Sequence, residues 1–341
     1  MPELPEVETI AQGLAKRITG DVVQSVWLGE KPEPLKSPAG EIVATLEHSR
    51  IAGVRRMGKH IVFDLERGGA RGTLPPADSS GVSTAKGWDR NRARGGGKSK
   101  SPSIALALAD KSVRPTQATA TATPRSRAAD KSVRPTRAVP TEAALWIVHL
   151  GMSGRLQICQ AQEDVAKHTH AIIRLESGRE LRFVDPRRFG RLSVARSGEF
   201  DAGGLEPLDV ELKDFVGLFR GRKTPIKSAL LNQKLLRGVG NIYADESLFR
   251  AGIRPRRRAS NISHEQLHRL FLSVKEVLRE AIALGGSSIS DYVDADGDEG
   301  FFQLQHRVYG REGEPCLVCK TPIKRVVLGG RSSHYCPKCQ K

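Results

Sequence analysis

The amino-acid sequence predicts an α+β protein of several domains: an N-terminal helix with an antiparallel β-sandwich, a helical domain, and a C-terminal β-hairpin. Apolar residues recur at spacings of three and four from Val7 to Ile18 and again between residues 226 and 278, which indicates amphipathic helices. Between them lie many short β-branched runs separated by turn residues, as in an antiparallel sandwich. Two Cys-x-x-Cys pairs near the C-terminus indicate that zinc closes the hairpin.

Length and charge limit the functional classes. At 341 residues, the chain has room for about two domains. Its formal net charge of +17 indicates a polyanionic partner, but composition does not separate DNA, RNA and a membrane surface. Residues 71–141 carry a net +10, which leaves only +7 elsewhere and weakens the charge argument. Because no run of 18 apolar residues occurs and the N-terminus is acidic, we expect a soluble cytosolic protein without membrane contact.

The N-terminal stretch from Pro2 to Glu8 carries the first candidate chemistry. Removal of Met1, which a small second residue permits, would leave a proline with a free secondary amine. An α-amino group titrates at about pH 8, so part of it is a neutral nucleophile at neutral pH. Its attack on a sugar C1′ gives a positively charged iminium, and Glu3 adjoins it as a general acid or base. The structural alternative is a helix N-terminus at Pro5 with acids favourably placed for the helix dipole.

The sandwich is predicted from short runs bounded by turns. The predicted strands cover residues 22–28, 51–54, 60–65, 145–150 and 181–184, with an alternating strand after His170. Turns are predicted at 55–59, at 151–154 and after Asp185.

Residues 68–141 differ in composition from the rest. They are rich in Ser, Thr, Ala, Gly and Pro, and they repeat Ala-Asp-Lys-Ser-Val-Arg-Pro-Thr at 109–116 and 129–136. We interpret this block as a disordered insertion in a hairpin loop, because loop-closure entropy grows only slowly with length.

Helical spacing returns at residues 226–236 and 242–251, joined by a glycine-rich link. Backbone N–H groups of that link and Asn241 would suit a phosphate, although an ordinary helical hairpin has the same pattern. Ser263 and Gln266 form a capping-box pattern for a further helix. The predicted domains are an N-terminal domain over 2–202, a connection over 203–224, a helical domain over 225–302 with a loop at 285–302, and a hairpin over 303–341.

The cysteine spacing is the most specific local pattern. Cys316, Cys319, Cys336 and Cys339 give Cys-x2-Cys-x16-Cys-x2-Cys, the spacing of a closed tetrahedral zinc site without an open catalytic position. We therefore predict one structural zinc that contributes folding energy. Cys159 stands apart in an apolar run and is predicted to be a buried thiol.

The opening Met-Pro-Glu-Leu-Pro-Glu-Val-Glu-Thr, the Asn-Ile-Tyr-Ala-x-Glu motif at 241–246 and the cysteine pattern resemble the bacterial formamidopyrimidine-DNA glycosylase (8-oxoguanine-DNA glycosylase) family. The resemblance implies a helix-two-turn-helix domain and a monomeric base-excision-repair enzyme with zinc as its cofactor. It would remove oxidised purines, 8-oxoguanine and formamidopyrimidines, from damaged duplex DNA. Pro2 would displace the base, Glu3 would move protons at the sugar, and β- and δ-elimination would cut the strand.

The same resemblance implies roles for residues that would otherwise pass for turns, packing or surface. Lys59 and Arg331 would assist elimination, but Gly330 stands where a glutamine is expected, which leaves the placement of Arg331 open. The side chains implied to fill the void left by an extruded nucleotide are Met152, Arg187 and Phe189, with Arg187 facing the orphaned cytosine. The implied DNA contacts are His168, Arg187, Arg188, Arg222 and Asn241. The implied lesion-loop contacts are Ser287, Ile289, Ser290, Asp291 and Tyr292.

Three other functions fit parts of the sequence. An endonuclease VIII-like glycosylase for oxidised pyrimidines shares the terminus and the zinc hairpin, but Leu4, Met152 and the long 285–302 loop favour the purine enzyme. A catalytically inactive DNA-damage-binding zinc protein is disfavoured by the presence of Pro2, Glu3 and Lys59. A basic zinc-ribbon RNA binder would bind undamaged RNA and cut no strand.

Overall fold

The computed structural model describes residues 2–67, 143–288, 292–295 and 297–341. The predicted insertion at 68–141 lies outside the described residues. Among those described, the elements in chain order are α1 (Leu4–Ile18), β1 (Val23–Leu28), α2 (Ala39–Leu46), β2 (Ser49–Met57), β3 (His60–Arg67), β4 (Ala143–His149), β5 (Arg155–Gln160), β6 (Thr169–Leu175), β7 (Arg179–Val184), β8 (Arg191–Arg196), α3 (Leu212–Phe219), α4 (Ile226–Leu230), α5 (Asn241–Arg250), α6 (His264–Ala283), β9 (Lys324–Leu328) and β10 (Arg331–Tyr335).

Helix α1 is rigid at its start. A capping box closes its first turn, in which the backbone N–H of Glu3 donates to the Glu6 carboxylate at 2.7 Å. The apolar face that the spacing predicts is buried, with Val7, Ile10 and Leu14 at most 1 % exposed. The helix therefore fixes Pro2 and Glu3 against the protein core.

Two four-stranded antiparallel sheets form the predicted sandwich, with strand orders β1-β6-β7-β5 and β2-β3-β4-β8. Their inner faces and α1 share one apolar core, in which Phe63 and Trp146 lie with ring centroids 4.5 Å apart and Phe183 is fully buried. This confirms the predicted α+β architecture. Helix α2 and strands β5 and β8 had not been predicted. Helix α2 buries only Ile42 and Leu46, too few residues for a clear periodic signal.

The helical part has a core of its own, and the length of one predicted helix there is corrected. The predicted helix 226–236 ends at Leu230, because Gln233 bonds the carbonyls of Leu231 and Val239 and takes the place of helical hydrogen bonds. The connection at 203–224 contains helix α3, whose buried face packs in this core. The predicted cap of α6 is confirmed, since Ser263 and Gln266 bond each other's backbone N–H groups.

The C-terminal hairpin pairs β9 with β10 across a turn at Gly329 and Gly330. Both glycines have positive φ, +54° and +75°, a conformation that other residues rarely adopt. Arg331 begins β10 directly after this turn, at the hairpin tip. Among the described residues, the helices are too short or too polar to cross a membrane.

Candidate active site

A cavity of about 730 Å³ opens where α1, the β2–β3 turn, the link before α5 and the hairpin tip meet. It brings together eight of the residues singled out from sequence, namely Pro2, Glu3, Lys59, Met152, Asn241, Ser287, Tyr292 and Arg331. Glu6, His149, Ser228 and Tyr309 also line it, without having been predicted. Of the predicted lesion-loop contacts, Ile289, Ser290 and Asp291 lie outside the described residues.

Glu3 is buried in the wall of this cavity beside Pro2. Its Oε1 accepts the backbone N–H of Ile242 at 3.3 Å, and its Oε2 has no partner among the described residues. Burial raises the pKa of Glu3, against the lowering effect of the nearby Lys59 ammonium. Because the raised pKa favours the protonated form, this carboxyl is suited to act as a general acid.

Gly240 lets Glu3 reach this position. A Cβ at residue 240 would lie 2.1 Å from the Glu3 carboxyl carbon and 2.3 Å from its Oε1. Sequence reasoning had assigned the glycine-rich link to a phosphate, whereas the structure shows that one of its glycines makes room for a carboxylate.

We expect Gly240→Ala to lower activity by at least about tenfold while the protein remains folded, because a displaced reacting group costs far more rate than stability. Single-turnover base excision measures the activity of the variant, and thermal unfolding shows whether it remains folded. Gly217→Ala is the matched control, because nothing lies within 4 Å of a Cβ there. Equal activity of the two variants would contradict the steric argument.

Glu6 joins three parts of the site, and sequence reasoning missed its role. Its carboxylate accepts from the Glu3 backbone, from the Tyr243 hydroxyl, and from the Ser287 backbone N–H at 2.8 Å. Burial, followed by repulsion from the Glu3 carboxylate, raises the pKa of Glu6 to about 7. The spacing of Glu3 and Glu6 as a capping box was the available signal, but it identifies only the first of the three donors.

The raised pKa of Glu6 predicts a pH dependence of stability. Since the folded protein holds this proton more tightly than the unfolded chain, the free energy of unfolding falls as pH rises from about 4.5 to 7. Glu6→Gln removes this contribution, up to about 1.4 kcal/mol per pH unit. Denaturant unfolding of the unsubstituted protein and of Glu6→Gln across that pH range tests this dependence. If the free energies of unfolding of the two proteins changed with pH in parallel, the assignment to Glu6 would be refuted.

Lys59 and Arg331, which lie on different elements, both line the same cavity and supply positive charge to it. Lys59 follows Gly58 in the β2–β3 turn, and burial lowers its pKa, with Glu3 opposing and Arg331 reinforcing that shift. The hairpin tip is anchored beneath Arg331 by Lys227, whose Nζ donates to the Ser332 carbonyl at 2.6 Å. The structure therefore places Arg331 in the cavity although the residue before it is glycine.

Met152, Arg187 and Phe189 lie on two adjoining turns. The Ser153 hydroxyl donates to Asp185 at 2.7 Å, and the same carboxylate accepts the backbone N–H groups of Arg187 and Gly190. Met152 and Phe189 are 41 % and 53 % exposed, and the Arg187 guanidinium lies 5.1 Å from the Phe189 ring centre. These exposed side chains are therefore held on a fixed base.

The remaining predicted DNA contacts are dispersed. The His168 carbonyl accepts the backbone N–H of Asp185 at 3.0 Å, and Asp185 is the residue whose carboxylate holds the turn that carries Arg187. Arg188 forms an ion pair with Glu33 at 2.8 Å, and the Arg222 side chain donates to the Leu218 carbonyl near the end of α3. Asn241 lines the cavity, with its side-chain oxygen buried and without a partner among the described residues.

The four cysteines of the hairpin fit one zinc ion. Their sulfur atoms lie within 4.8 Å of one another, with Sγ–Sγ distances of 3.9 Å for Cys316 and Cys339 and 3.4 Å for Cys319 and Cys336. A tetrahedral site with Zn–S bonds of about 2.3 Å requires sulfur atoms about 3.8 Å apart. Cys159 is a free thiol, half-buried rather than fully buried as predicted.

Three family profiles match most of the chain. "Formamidopyrimidine-DNA glycosylase N-terminal domain" matches residues 1–74 and 126–192. "Formamidopyrimidine-DNA glycosylase H2TH domain" matches residues 204–293, and "Zinc finger found in FPG and IleRS" matches residues 313–341.

Individual relatives carry the same description. Proteins named formamidopyrimidine-DNA glycosylase are 43 % identical in Ruegeria sp. (strain TM1040) and 32 % identical in Listeria monocytogenes serovar 1/2a, each over the full length of both chains. The solved MutM (Fpg) structure from Thermus thermophilus superimposes with a TM-score of 0.70 at 33 % identity, covering 99 % of this chain and 98 % of that chain. The Lactococcus lactis Fpg in complex with abasic-site DNA superimposes with a TM-score of 0.72 at 26 % identity, covering 99 % of both chains.

Proposed function

This chain belongs to the formamidopyrimidine-DNA glycosylase family, and we propose that it excises oxidised purines from duplex DNA and cuts the strand at the resulting abasic site. The observation that carries the proposal is one cavity that gathers Pro2, Glu3, Lys59 and Arg331 from separate elements. A nucleophile, a buried acid and two cations are the groups that base release and phosphate elimination require.

Pro2 is the nucleophile once Met1 is removed. Its nitrogen attacks C1′ while the bond from C1′ to the base breaks, and the proline N–H proton leaves with the base. The C1′–O4′ bond then breaks as the nitrogen lone pair forms the iminium, and O4′ takes up a proton. Glu3, whose pKa burial raises, provides the proton needed at the sugar.

Lys59 and Arg331 serve the elimination steps. The iminium acidifies the proton on C2′, whose loss expels the 3′ phosphate, and a second elimination expels the 5′ phosphate. Burial lowers the pKa of Lys59, so a larger fraction of its amine is neutral and able to accept a proton in these steps. The Arg331 guanidinium stabilises the departing phosphate.

The residues around the cavity hold the distorted DNA. Extruding a nucleotide costs a few kcal/mol of stacking and pairing, and Met152, Arg187 and Phe189 recover part of it by filling the void. The phosphate contacts are His168, Arg187, Arg188, Arg222 and Asn241. The lesion is held by Ser287, Ile289, Ser290, Asp291 and Tyr292.

The wider organisation follows the same proposal. Cys316, Cys319, Cys336 and Cys339 hold one structural zinc, which supplies folding energy to the hairpin that carries Arg331. We assign residues 2–202 to the catalytic domain, 203–224 to the connection, 225–302 to the helix-two-turn-helix domain and 303–341 to the zinc hairpin. The protein acts as a monomer on damaged duplex DNA in the cytoplasm.

Borohydride trapping tests the proposal. The protein is mixed with a duplex that has 8-oxoguanine opposite cytosine and with a duplex that has an oxidised pyrimidine, and the cross-linked peptide is identified by mass. We expect an adduct on Pro2 that forms faster with 8-oxoguanine.

The other outcomes separate the rival functions. Faster trapping on the pyrimidine duplex would assign the chain to endonuclease VIII-like activity. No adduct, from protein whose Met1 is shown to be absent, would favour a protein that binds damaged DNA without cutting it.

A further inference from the structure

Strand β10, which begins with Arg331, lies in a two-stranded sheet, so one of its edges faces away from β9. In an antiparallel pair, the backbone groups of alternate residues point away from the partner strand and need other partners. Two such groups, the Ser332 carbonyl and the His334 N–H, are bonded by side chains of the helical part of the protein. The hairpin tip is therefore held by more than its pairing with β9.

Asp245 connects both of these backbone groups to helix α5. One of its carboxylate oxygens accepts the His334 backbone N–H at 2.9 Å. The other lies 2.7 Å from the Lys227 Nζ, which in turn donates to the Ser332 carbonyl at 2.6 Å. Because Asp245 and Lys227 are both fully buried, water does not compete for these bonds.

A third contact lies one helical turn before Asp245. The Asn241 side-chain nitrogen donates to the Ser332 hydroxyl at 3.3 Å. Since residues 241 and 245 are four apart in α5, their side chains lie on the same face of that helix, and this face meets β10. The hairpin tip is thus bonded along one face of α5, directly beside Arg331.

The zinc site acts at the opposite end of the hairpin. Cys336 is five positions beyond Arg331, which corresponds to about 17 Å along an extended strand. An isolated two-stranded hairpin is only marginally stable in water, so a metal at its base does not by itself fix its tip. The bonds from Lys227 and Asp245 act at the tip, one and three residues after Arg331.

We propose that Asp245 is a positioning residue for Arg331, which holds the edge of β10 so that the guanidinium faces the cavity during strand cleavage. The inference rests on the proposed function, because it concerns the elimination steps assigned to Arg331. Arg331 lines the cavity, whereas Asp245 lies behind it and acts through the hairpin. Its effect is therefore expected on elimination and not on the attack by Pro2.

Two single variants and their combination separate positioning from charge balance. Asp245→Asn leaves one acceptor oxygen where two are used, and Lys227→Met removes the donor to Ser332. Each single variant leaves the other charge buried and unpaired, which by itself destabilises the fold. The double variant removes both charges and relieves that penalty, but it still lacks the bond to the Ser332 carbonyl.

The substrate is a duplex with a preformed abasic site, on which borohydride trapping of Pro2 and strand cleavage are measured separately. We expect all three variants to form the Pro2 adduct within about twofold of the unsubstituted rate and to cleave the strand at least about tenfold more slowly. Arg331→Ala is expected to show the same split, and the addition of Asp245→Asn to it is expected to cause no further loss. The matched control is Glu280→Gln, which breaks an ion pair between α5 and α6 at Arg250 and is expected to change neither rate.

Four outcomes would overturn the inference: normal cleavage by Asp245→Asn, equal losses of trapping and cleavage, recovery of cleavage in the double variant, or a further loss when Asp245→Asn is added to Arg331→Ala. Thermal unfolding and zinc content are measured for each variant, and where a single variant is unfolded the double variant decides the result. An unsubstituted protein that forms no adduct on Pro2 would refute the proposed function itself, which is a separate result from any of these four.

Discussion

Replacing Pro2 by glycine is expected to slow base release from an 8-oxoguanine duplex by at least about 100-fold. Glycine also permits removal of Met1, so both proteins expose an amine at residue 2. The glycine amine is primary, and its imine can lose the proton that keeps the nitrogen charged, whereas a proline iminium keeps its charge. Glycine also rotates freely about φ, so its nitrogen samples many positions, whereas the proline ring holds the nitrogen in one place.

Single-turnover excision and borohydride trapping measure the effect of Pro2→Gly. Pro5→Ala is the matched control, because Pro5 lies in the first turn of α1 and takes no part in the proposed chemistry. We expect this control to remain within about threefold of the unsubstituted protein, since alanine also suits a helix. A Pro2→Gly protein that cleaved 8-oxoguanine DNA at the normal rate would refute the iminium mechanism.

Removing zinc is expected to abolish strand cleavage while the β-sandwich remains folded. The core around the cysteines is small and consists of Phe249 of α5, Val308 and Ile323, so the metal supplies much of the local stability. A four-thiolate zinc site supplies about 10–16 kcal/mol, which the hairpin loses with the metal. Arg331 then leaves the cavity, because it begins the second strand of that hairpin.

Cys336→Ser and chelation both test the zinc prediction. We expect native mass spectrometry to show the loss of one zinc ion, circular dichroism to retain the strand signal, and strand cleavage to disappear. Cys159→Ser is the matched control, because Cys159 lies in β5 away from the four clustered thiols. Metal-free protein that still cleaved abasic-site DNA at the normal rate would contradict a role for the hairpin in catalysis.

The buried charge network at the hairpin tip was not predictable from sequence. Lys227 is 1 % exposed and pairs with Asp245 at 2.7 Å, and Asp245 also accepts the backbone N–H of His334. In the sequence, Lys227 belongs to a short helical stretch and Asp245 to another, and nothing relates either residue to the hairpin. Burial of both charges depends on three segments meeting.

Local sequence patterns were sufficient to predict elements whose stabilising residues lie within one short segment. Helix α1 forms because apolar spacing and the capping box lie within 18 residues, and the zinc hairpin forms because one metal recruits four nearby thiols. The proposal that Pro2 is a nucleophile came from the residue types of the opening stretch and from the expected removal of Met1. The predicted helix 226–236 was too long because Gln233 forms side-chain bonds that periodicity does not report.

By itself, the sequence determined the α+β architecture, the candidate nucleophile and the zinc site. The tertiary structure alone decided which carboxylates are buried, where Arg331 lies, and that Glu6 accepts from Tyr243 and Ser287. It also showed that Gly240 makes room for Glu3. The physical reason is that a pKa, a hydrogen bond or a steric limit depends on atoms within a few ångströms, and those atoms come from residues more than 200 positions apart.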